Sequence, residues 1–156
     1  MLRALPAVLA MLFAAAACSD SGPSACAAVV DEEFDTQSSI HVAPDTAVEF
    51  LTWPPTSGPH VAGTPPSGVV TEPLSGSLQV KVLEDGKVLI QYEDIPERDV
   101  DKLAELAGEN VVVAPGVDLP EPVVTTAWTT KQVCTEVDTG AHREFIEVYA
   151  LPEPAN

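Results

Sequence analysis

Two histidines and two acids are the side chains of this chain best suited to hold a metal ion. They are His41, His60, Glu84 and Asp85. Imidazole nitrogens combined with carboxylate oxygens suit zinc and copper(II). His60 follows a stiff Pro-Pro-Thr-Ser-Gly-Pro segment, and a stiff loop can aim a side chain at little entropy cost on binding. No two of these residues have close ligand spacing, so the alternative is that His60 hydrogen-bonds to backbone within a structural loop.

Ser57, three residues before His60, raises the question of nucleophilic catalysis. A reactive serine needs a base within hydrogen-bond reach, an orienting acid and an oxyanion hole. The chain lacks the Gly-x-Ser-x-Gly elbow. Thr56 and Ser57 are residue types that shape turns by bonding to nearby backbone. The sequence therefore favours a protein that is not an enzyme, with no catalytic residue and no cofactor other than copper or zinc in the alternative.

The first residues are typical of an export signal. Arg3 supplies a positive charge, and an apolar run of 14 residues follows over 4–17. This run is too short to span about 30 Å of hydrocarbon. Small residues directly before Cys18 resemble the lipobox of bacterial lipoproteins, which implies cleavage after residue 17 and lipidation of Cys18. Residues 18–25 would then form a flexible spacer, and the protein would be anchored in the cell membrane on its extracytoplasmic side.

The other two cysteines form an even pair. Export places Cys26 and Cys134 where disulfides persist, so we expect them to be joined. The alternative is two buried free thiols. Two lone cysteines so far apart are not a zinc signature.

The secondary structure follows from the periodicity of apolar residues. Apolar and polar side chains alternate over 78–82 and again over 88–92, and the intervening Asp85-Gly86 predicts a tight turn, so this stretch is interpreted as a β-hairpin. We also expect strands over 48–53, 110–114 and 123–128 and a helix over 96–107. A final helix is expected to begin after Asp138, which would cap it. Residues 145–149 could form a strand instead of part of this helix.

These elements predict one α+β domain over 26–150, followed by a frayed tail over 151–156. The expected architecture is a mostly antiparallel sheet with one or two helices packed on one face. Strand, helix and strand over 88–114 could form a right-handed crossover. His142 lies among polar neighbours and is expected to face solvent.

The charge balance indicates that nucleic acid is not a partner of this protein. The chain has 7 basic and 24 acidic side chains and a formal net charge of −17. An acidic surface is repelled by the phosphate backbone, so nucleic acid is not an expected partner. The expected partners are the membrane, through the lipid anchor, and an envelope protein. The Pro-rich loop over 54–66 is the surface expected to meet that protein.

The segment Trp-Pro-Pro-Thr-Ser-Gly-Pro-His over 53–60 resembles the signature of a bacterial family, the domain of unknown function 3105. Other pieces resemble that family in the same order: His41, residues 68–70, 88–92 and 111–115, and later Thr126-Ala127-Trp128 and Phe145. The resemblance covers roughly 41–149. It implies an exported or membrane-tethered protein, and no activity is established for the family.

One segment departs from the family pattern. The family usually has His-x-Leu-Glu-His-Gly before its central strand, whereas residues 81–86 here are Lys-Val-Leu-Glu-Asp-Gly. If the family's histidines form a metal or catalytic cluster, two of its four members are missing, and Lys81 places a cation where the family has a ligand. The functional prediction is therefore a non-enzymatic lipoprotein of the cell envelope. The alternative is an envelope protein with a partly lost histidine site for copper or zinc.

Overall fold

The structure is a computed structural model that describes residues 24–151. The expected signal peptide over 1–17, the lipidated Cys18 and residues 152–156 of the expected tail over 151–156 lie outside the described residues. Eleven elements follow in chain order, and they are β1 (Val30–Asp31), β2 (His41–Val42), β3 (His60–Val61), β4 (Gly68–Val69), α1 (Gly76–Glu84), β5 (Val88–Tyr92), α2 (Glu97–Ala104), β6 (Val111–Pro115), β7 (Val123–Ala127), β8 (Thr130–Cys134) and α3 (Thr139–Tyr149).

A six-stranded sheet forms the centre of the domain, with the strand order β1-β8-β7-β5-β6-β4. Strand β6 is parallel to both of its neighbours, β4 and β5, and the remaining three pairings are antiparallel. Helix α2 connects the parallel strands β5 and β6, as the predicted crossover requires. Strands β2 and β3 form a separate two-stranded parallel sheet. The α+β class is confirmed.

Helices cover both faces of the sheet, whereas the sequence predicted helices on one face. Alternate side chains of β5 and β6 enter two different apolar clusters. One cluster contains Leu103 of α2 and Phe145 of α3, and the other contains Val82 and Leu83 of α1. The central strands are buried on both sides, which explains why all five residues of β7 are buried.

The predicted hairpin is wrong in its first arm, because residues 76–84 form helix α1. Val80, Val82 and Leu83 are all fully buried, so the helix is covered on several sides and loses the one-sided apolar stripe of a surface helix. Gly86, with φ +76°, ends the helix: its N–H donates to the Leu83 carbonyl, and the N–H of Lys87 donates to the Val82 carbonyl. This is the Schellman pattern, so the Asp-Gly pair closes a helix and not a hairpin.

The predicted strand over 48–53 is also wrong, since the structure has no strand there. The ring of Phe50 lies against two glycines instead of joining a sheet. A Cβ atom on Gly76 would lie 2.5 Å from the Phe50 ring, and one on Gly58 would lie 3.1 Å from it. Packing of the aromatic ring against bare backbone therefore replaces strand pairing in this segment.

Candidate metal site

The candidate site is built on a loop in which every residue from 54 to 60 is buried. The backbone N–H of Asp35 donates to Ser57 Oγ at 2.9 Å, and the N–H of Gly58 donates to Ser38 Oγ at 2.9 Å. Gly58 has φ +131°, a conformation that favours glycine. These bonds fix the loop to a segment about twenty residues earlier. They also give Ser57 a structural role, because its hydroxyl is engaged with backbone.

Part of the Pro-rich loop that is expected to meet a partner is buried. Residues 54–61 and Pro65 are buried, residues 62–64 are exposed, and Pro66 is half-buried. The exposed stretch of this loop is therefore short.

Strand pairing brings the two histidines of this site together. His41 in β2 lies directly opposite His60 in β3 in a parallel register. Their ring centroids are 4.9 Å apart and the ring planes are at 86°. His41 is exposed, whereas His60 is 1% exposed. The His60 imidazole is thus held inside the protein, whereas the exposed His41 side chain is free to change its orientation.

Helix α1 supplies the third member of the group. Glu84 is the last residue of α1, and its Oε2 lies 3.1 Å from Nε2 of His60. One ligand atom each from His41, His60 and Glu84 lies within 4.8 Å of the others. We refer to these three residues as the helix-end cluster. Three of the four ligands predicted from the sequence therefore converge.

The two nitrogens of His60 have different surroundings. Nδ1 lies 3.2 Å from the Gly58 carbonyl, so it carries the proton and donates it. In a neutral ring the lone pair is then on Nε2. Glu84 Oε2 lies 3.1 Å from this atom, close enough for an ion pair with a protonated ring but without hydrogen-bond geometry, so the buried Nε2 has no hydrogen-bond partner in the described part of the chain. The expected backbone bond of His60 is thus present, yet it accounts for only one of the two nitrogens.

This arrangement fits a metal ligand. Histidines that bind metals usually donate the other ring N–H to a carbonyl or carboxylate, which fixes the tautomer. Two ligands held about 2.0–2.1 Å from a tetrahedral zinc ion are about 3.3 Å apart. The observed 3.1 Å between His60 Nε2 and Glu84 Oε2 is close to that separation. An ion placed between the two atoms would give the buried nitrogen the partner that it lacks.

Lys81 opposes a cation at this position. Its Nζ donates to Glu84 Oε2 at 2.8 Å and to Asp85 Oδ1 at 2.6 Å. These two bonds, with Asp85 the larger cause, raise the pKa of Lys81 above its ordinary value. The ammonium therefore shares the oxygen that faces His60. Asp85, predicted as a ligand, contacts Lys81 and is not part of the helix-end cluster.

A second cluster, which the sequence did not predict, consists of Cys26, Cys134 and His142. The two cysteines form the expected disulfide. His142 was expected to face solvent, but it is fully buried, and one ligand atom from each of the three residues lies within 4.8 Å of the others. Burial lowers the pKa of His142, and the charge of Asp138 partly opposes this effect. We refer to these three residues as the disulfide cluster.

The missed histidine had a detectable signal in the sequence. His142, Phe145 and Tyr149 are spaced three and four residues apart and so share one face of α3. The polar neighbours of His142 gave no indication of this, because adjacent residues on a helix point in different directions.

One of the comparisons with known proteins identifies a family for this chain. Searches of curated proteins and of solved structures found no match to the chain. Among residues 24–151, none of the helices combines the length and the hydropathy that a membrane span requires. The model of a family described as "Protein of unknown function (DUF3105)" matches residues 41–156, a range that starts at the first histidine of the helix-end cluster. The chain therefore belongs to the DUF3105 family.

Proposed function

We propose that this protein binds a copper(II) or zinc ion through the helix-end cluster and has no enzymatic activity of its own. The single observation that supports this most is the buried Nε2 of His60. It has no hydrogen-bond partner in the described residues, its ring is oriented by the Gly58 carbonyl, and it lies 3.1 Å from a carboxylate oxygen. A buried polar atom without a partner is destabilising, and a bound ion would remove that penalty.

The ligand set narrows the choice of ion. Two imidazole nitrogens and one carboxylate oxygen suit zinc and copper(II), whereas magnesium and calcium prefer oxygen ligands throughout. Copper(II) binds such sites more tightly than zinc in the usual order of affinities. Because His41 and Glu84 are both exposed, the ion would keep a position open to water or to a ligand from another molecule.

Lys81 makes this a site of reduced affinity. The incoming ion must displace an ammonium from Glu84 Oε2, and the two cations would otherwise repel each other at short range. Asp85 offers the displaced ammonium a second carboxylate at 2.6 Å, so Lys81 can stay paired when Glu84 turns to the metal. Such a site would release its ion readily, which suits transfer better than permanent storage.

A copper(II) titration of the full chain, followed by electron paramagnetic resonance and calorimetry, tests the proposal. We expect one equivalent bound, with nitrogen hyperfine structure from imidazole. His41→Ala and Glu84→Gln should each weaken binding by about tenfold or more, equivalent to about 1.4 kcal/mol. Glu105→Gln is the matched control, since Glu105 is an exposed acid at the end of α2. The proposal is wrong if binding is absent at micromolar copper(II) and zinc, or if His41→Ala and Glu84→Gln both bind as tightly as the Glu105→Gln control.

We further propose that the protein is exported and anchored by lipid on Cys18. This rests on the basic and apolar start of the chain and on the small residues before Cys18. More than one acyl chain is needed for stable anchoring. A tethered site would exchange its ion with an envelope protein, which is the partner that this function requires. Mass spectrometry of the protein from its native host should find an acylated N-terminal cysteine, and an intact Met1 would contradict the tether.

A further inference from the structure

The disulfide cluster lies where two backbone segments pair side by side. Cys26 and Cys134 face each other as an antiparallel bridge, and their Cα atoms are 4.0 Å apart. The flanking hydrogen bonds run from the Ala27 N–H to the Val133 carbonyl and from the Thr135 N–H to the Ala25 carbonyl. The two cysteines therefore occupy a non-hydrogen-bonded pair, in which opposite side chains are closest. Both sulfur atoms are on the same side of this pair without any help from the disulfide.

His142 gives this pair a third potential ligand. Its Nδ1 lies 3.0 Å from Thr125 Oγ1, and its buried Nε2 has no hydrogen-bond partner in the range that the structure describes. The imidazole is completely buried, and one of its nitrogens lies within 4.8 Å of both sulfur atoms. A disulfide sulfur is a poor hydrogen-bond partner, so the oxidised state leaves this nitrogen unsatisfied.

We propose that reduction of the Cys26–Cys134 disulfide turns this cluster into a binding site for a thiophilic metal ion, zinc or copper(I). An external dithiol supplies two electrons and two protons. The S–S bond between Cys26 and Cys134 breaks, both cysteines become thiols, and the external dithiol is oxidised to its own disulfide. The ion then binds both sulfurs as thiolates and Nε2 of His142, and the two thiol protons pass to solvent. Two thiolates and one imidazole are a common set of protein ligands for zinc.

The geometry needs little rearrangement. Two thiolates held about 2.3 Å from a tetrahedral zinc ion are about 3.8 Å apart. Because the Cα atoms remain 4.0 Å apart in paired backbone, rotation of the two side chains can provide this separation while the segments stay paired. The same ion gives Nε2 of His142 its missing partner. It also keeps the N-terminal segment fastened to β8 after the disulfide is gone.

This inference is independent of the proposed function. It uses none of the residues of the helix-end cluster, and Cys26 precedes the residues 41–156 that the family model matches. The two clusters would also differ in the ion that they take, because thiolates select soft ions and the helix-end cluster offers only nitrogen and oxygen.

Cobalt(II) is a suitable probe, because its bonds to thiolate give intense near-ultraviolet absorption. The test uses the full chain with Cys18→Ser, which removes the third thiol, and with Glu84→Gln, which weakens the helix-end cluster. A water-soluble phosphine replaces the dithiol, since it supplies two electrons without adding competing thiols. We expect one equivalent of cobalt(II) with thiolate absorption in the reduced protein, none in the oxidised protein, and displacement by zinc. Absence of the thiolate band, or loss of the fold on reduction that metal does not restore, overturns the proposal.

The role of His142 needs its own measurement. His142→Gln should weaken cobalt(II) binding about tenfold and change the visible bands, whereas Arg143→Gln, at the exposed neighbouring position of α3, should leave both unchanged. If the His142→Gln chain fails to fold, X-ray absorption of the reduced, zinc-loaded parent chain decides the question. Two sulfur ligands together with an imidazole support the proposal, and a shell without sulfur or without imidazole overturns it.

Discussion

The helix-end cluster and the disulfide cluster contain similar histidines in different surroundings. Each has a buried histidine whose Nδ1 is hydrogen-bonded and whose Nε2 is without a partner in the described chain. In the helix-end cluster the other two members are exposed, with Glu84 at 36%. In the disulfide cluster all three members are buried. Only the first can therefore exchange a ligand with solvent while the fold stays intact.

The supporting elements explain this difference. The helix-end cluster combines a two-stranded sheet with the last residue of a helix, and two of its three members are exposed. The disulfide cluster lies between strand β8, the N-terminal segment and helix α3, and both of its cysteines belong to the larger apolar cluster. Position relative to the core, more than residue type, thus decides whether the residues around a buried histidine reach solvent.

The largest expected effect is on the free energy of unfolding, to which we expect the disulfide cluster to contribute much more than the helix-end cluster. The disulfide joins residues 108 positions apart. Replacing both cysteines (Cys26→Ser with Cys134→Ser) should lower the free energy of unfolding by about 2–4 kcal/mol, because the unfolded chain is no longer constrained by the cross-link. Urea denaturation measures this change. His41→Ala, at the exposed edge of the helix-end cluster, should change stability by no more than about 0.5 kcal/mol. Equal losses in the two variants would contradict the comparison.

The next effect concerns affinity at the helix-end cluster. Lys81→Met should tighten copper(II) binding by about tenfold, or about 1.4 kcal/mol, because it removes the ammonium that pairs with Glu84 Oε2. Lys102→Met is the matched control, since Lys102 pairs with Asp99 at the same three-residue spacing on α2. Calorimetric titration of both variants measures the difference. Unchanged affinity in Lys81→Met would mean that the ion does not compete with Lys81 for Glu84.

The sequence predicted those elements that have a clear periodic pattern of apolar residues. The strands over 88–92, 111–115 and 123–127 and the helix over 97–104 were all expected within a few residues. The failure over 76–84 has a physical cause. A helix buried on several sides needs no single apolar stripe, and an Asp-Gly pair can end a helix as readily as it can turn a hairpin.

The candidate site was predictable in its residue types but not in its assembly. His41, His60 and Glu84 carry recognisable ligand chemistry, and their convergence depends on a parallel pairing between strands of two residues each. Pairs of that length leave no periodic signal in the sequence. The hydrogen bond to the Gly58 carbonyl that orients His60 depends equally on the folded loop.

A smaller effect is expected at the start of helix α3, which carries His142. The Asp138 side chain accepts hydrogen bonds from the backbone N–H groups of Gly140 and Ala141. Asp138→Ala should lower the free energy of unfolding by about 1 kcal/mol, since these two donors lose their partner. Ser75→Ala is the control, because Ser75 precedes α1 without making a capping hydrogen bond. Urea denaturation should separate the two variants, and equal losses would contradict the capping role.

The smallest effect distinguishes the two acids at the end of α1. The hydrogen bond to Asp85 is the largest cause of the raised pKa of Lys81, so Asp85 gives the ammonium a second partner when an ion takes Glu84. Asp85→Asn should therefore weaken copper(II) binding, by less than about threefold, because Lys81 is left with Glu84 as its main partner. Glu84→Gln, which removes a ligand, should cost about tenfold. If Asp85→Asn matches Glu84→Gln in the same titration, Asp85 binds the ion directly and α1 must turn further toward His60 than the structure has it.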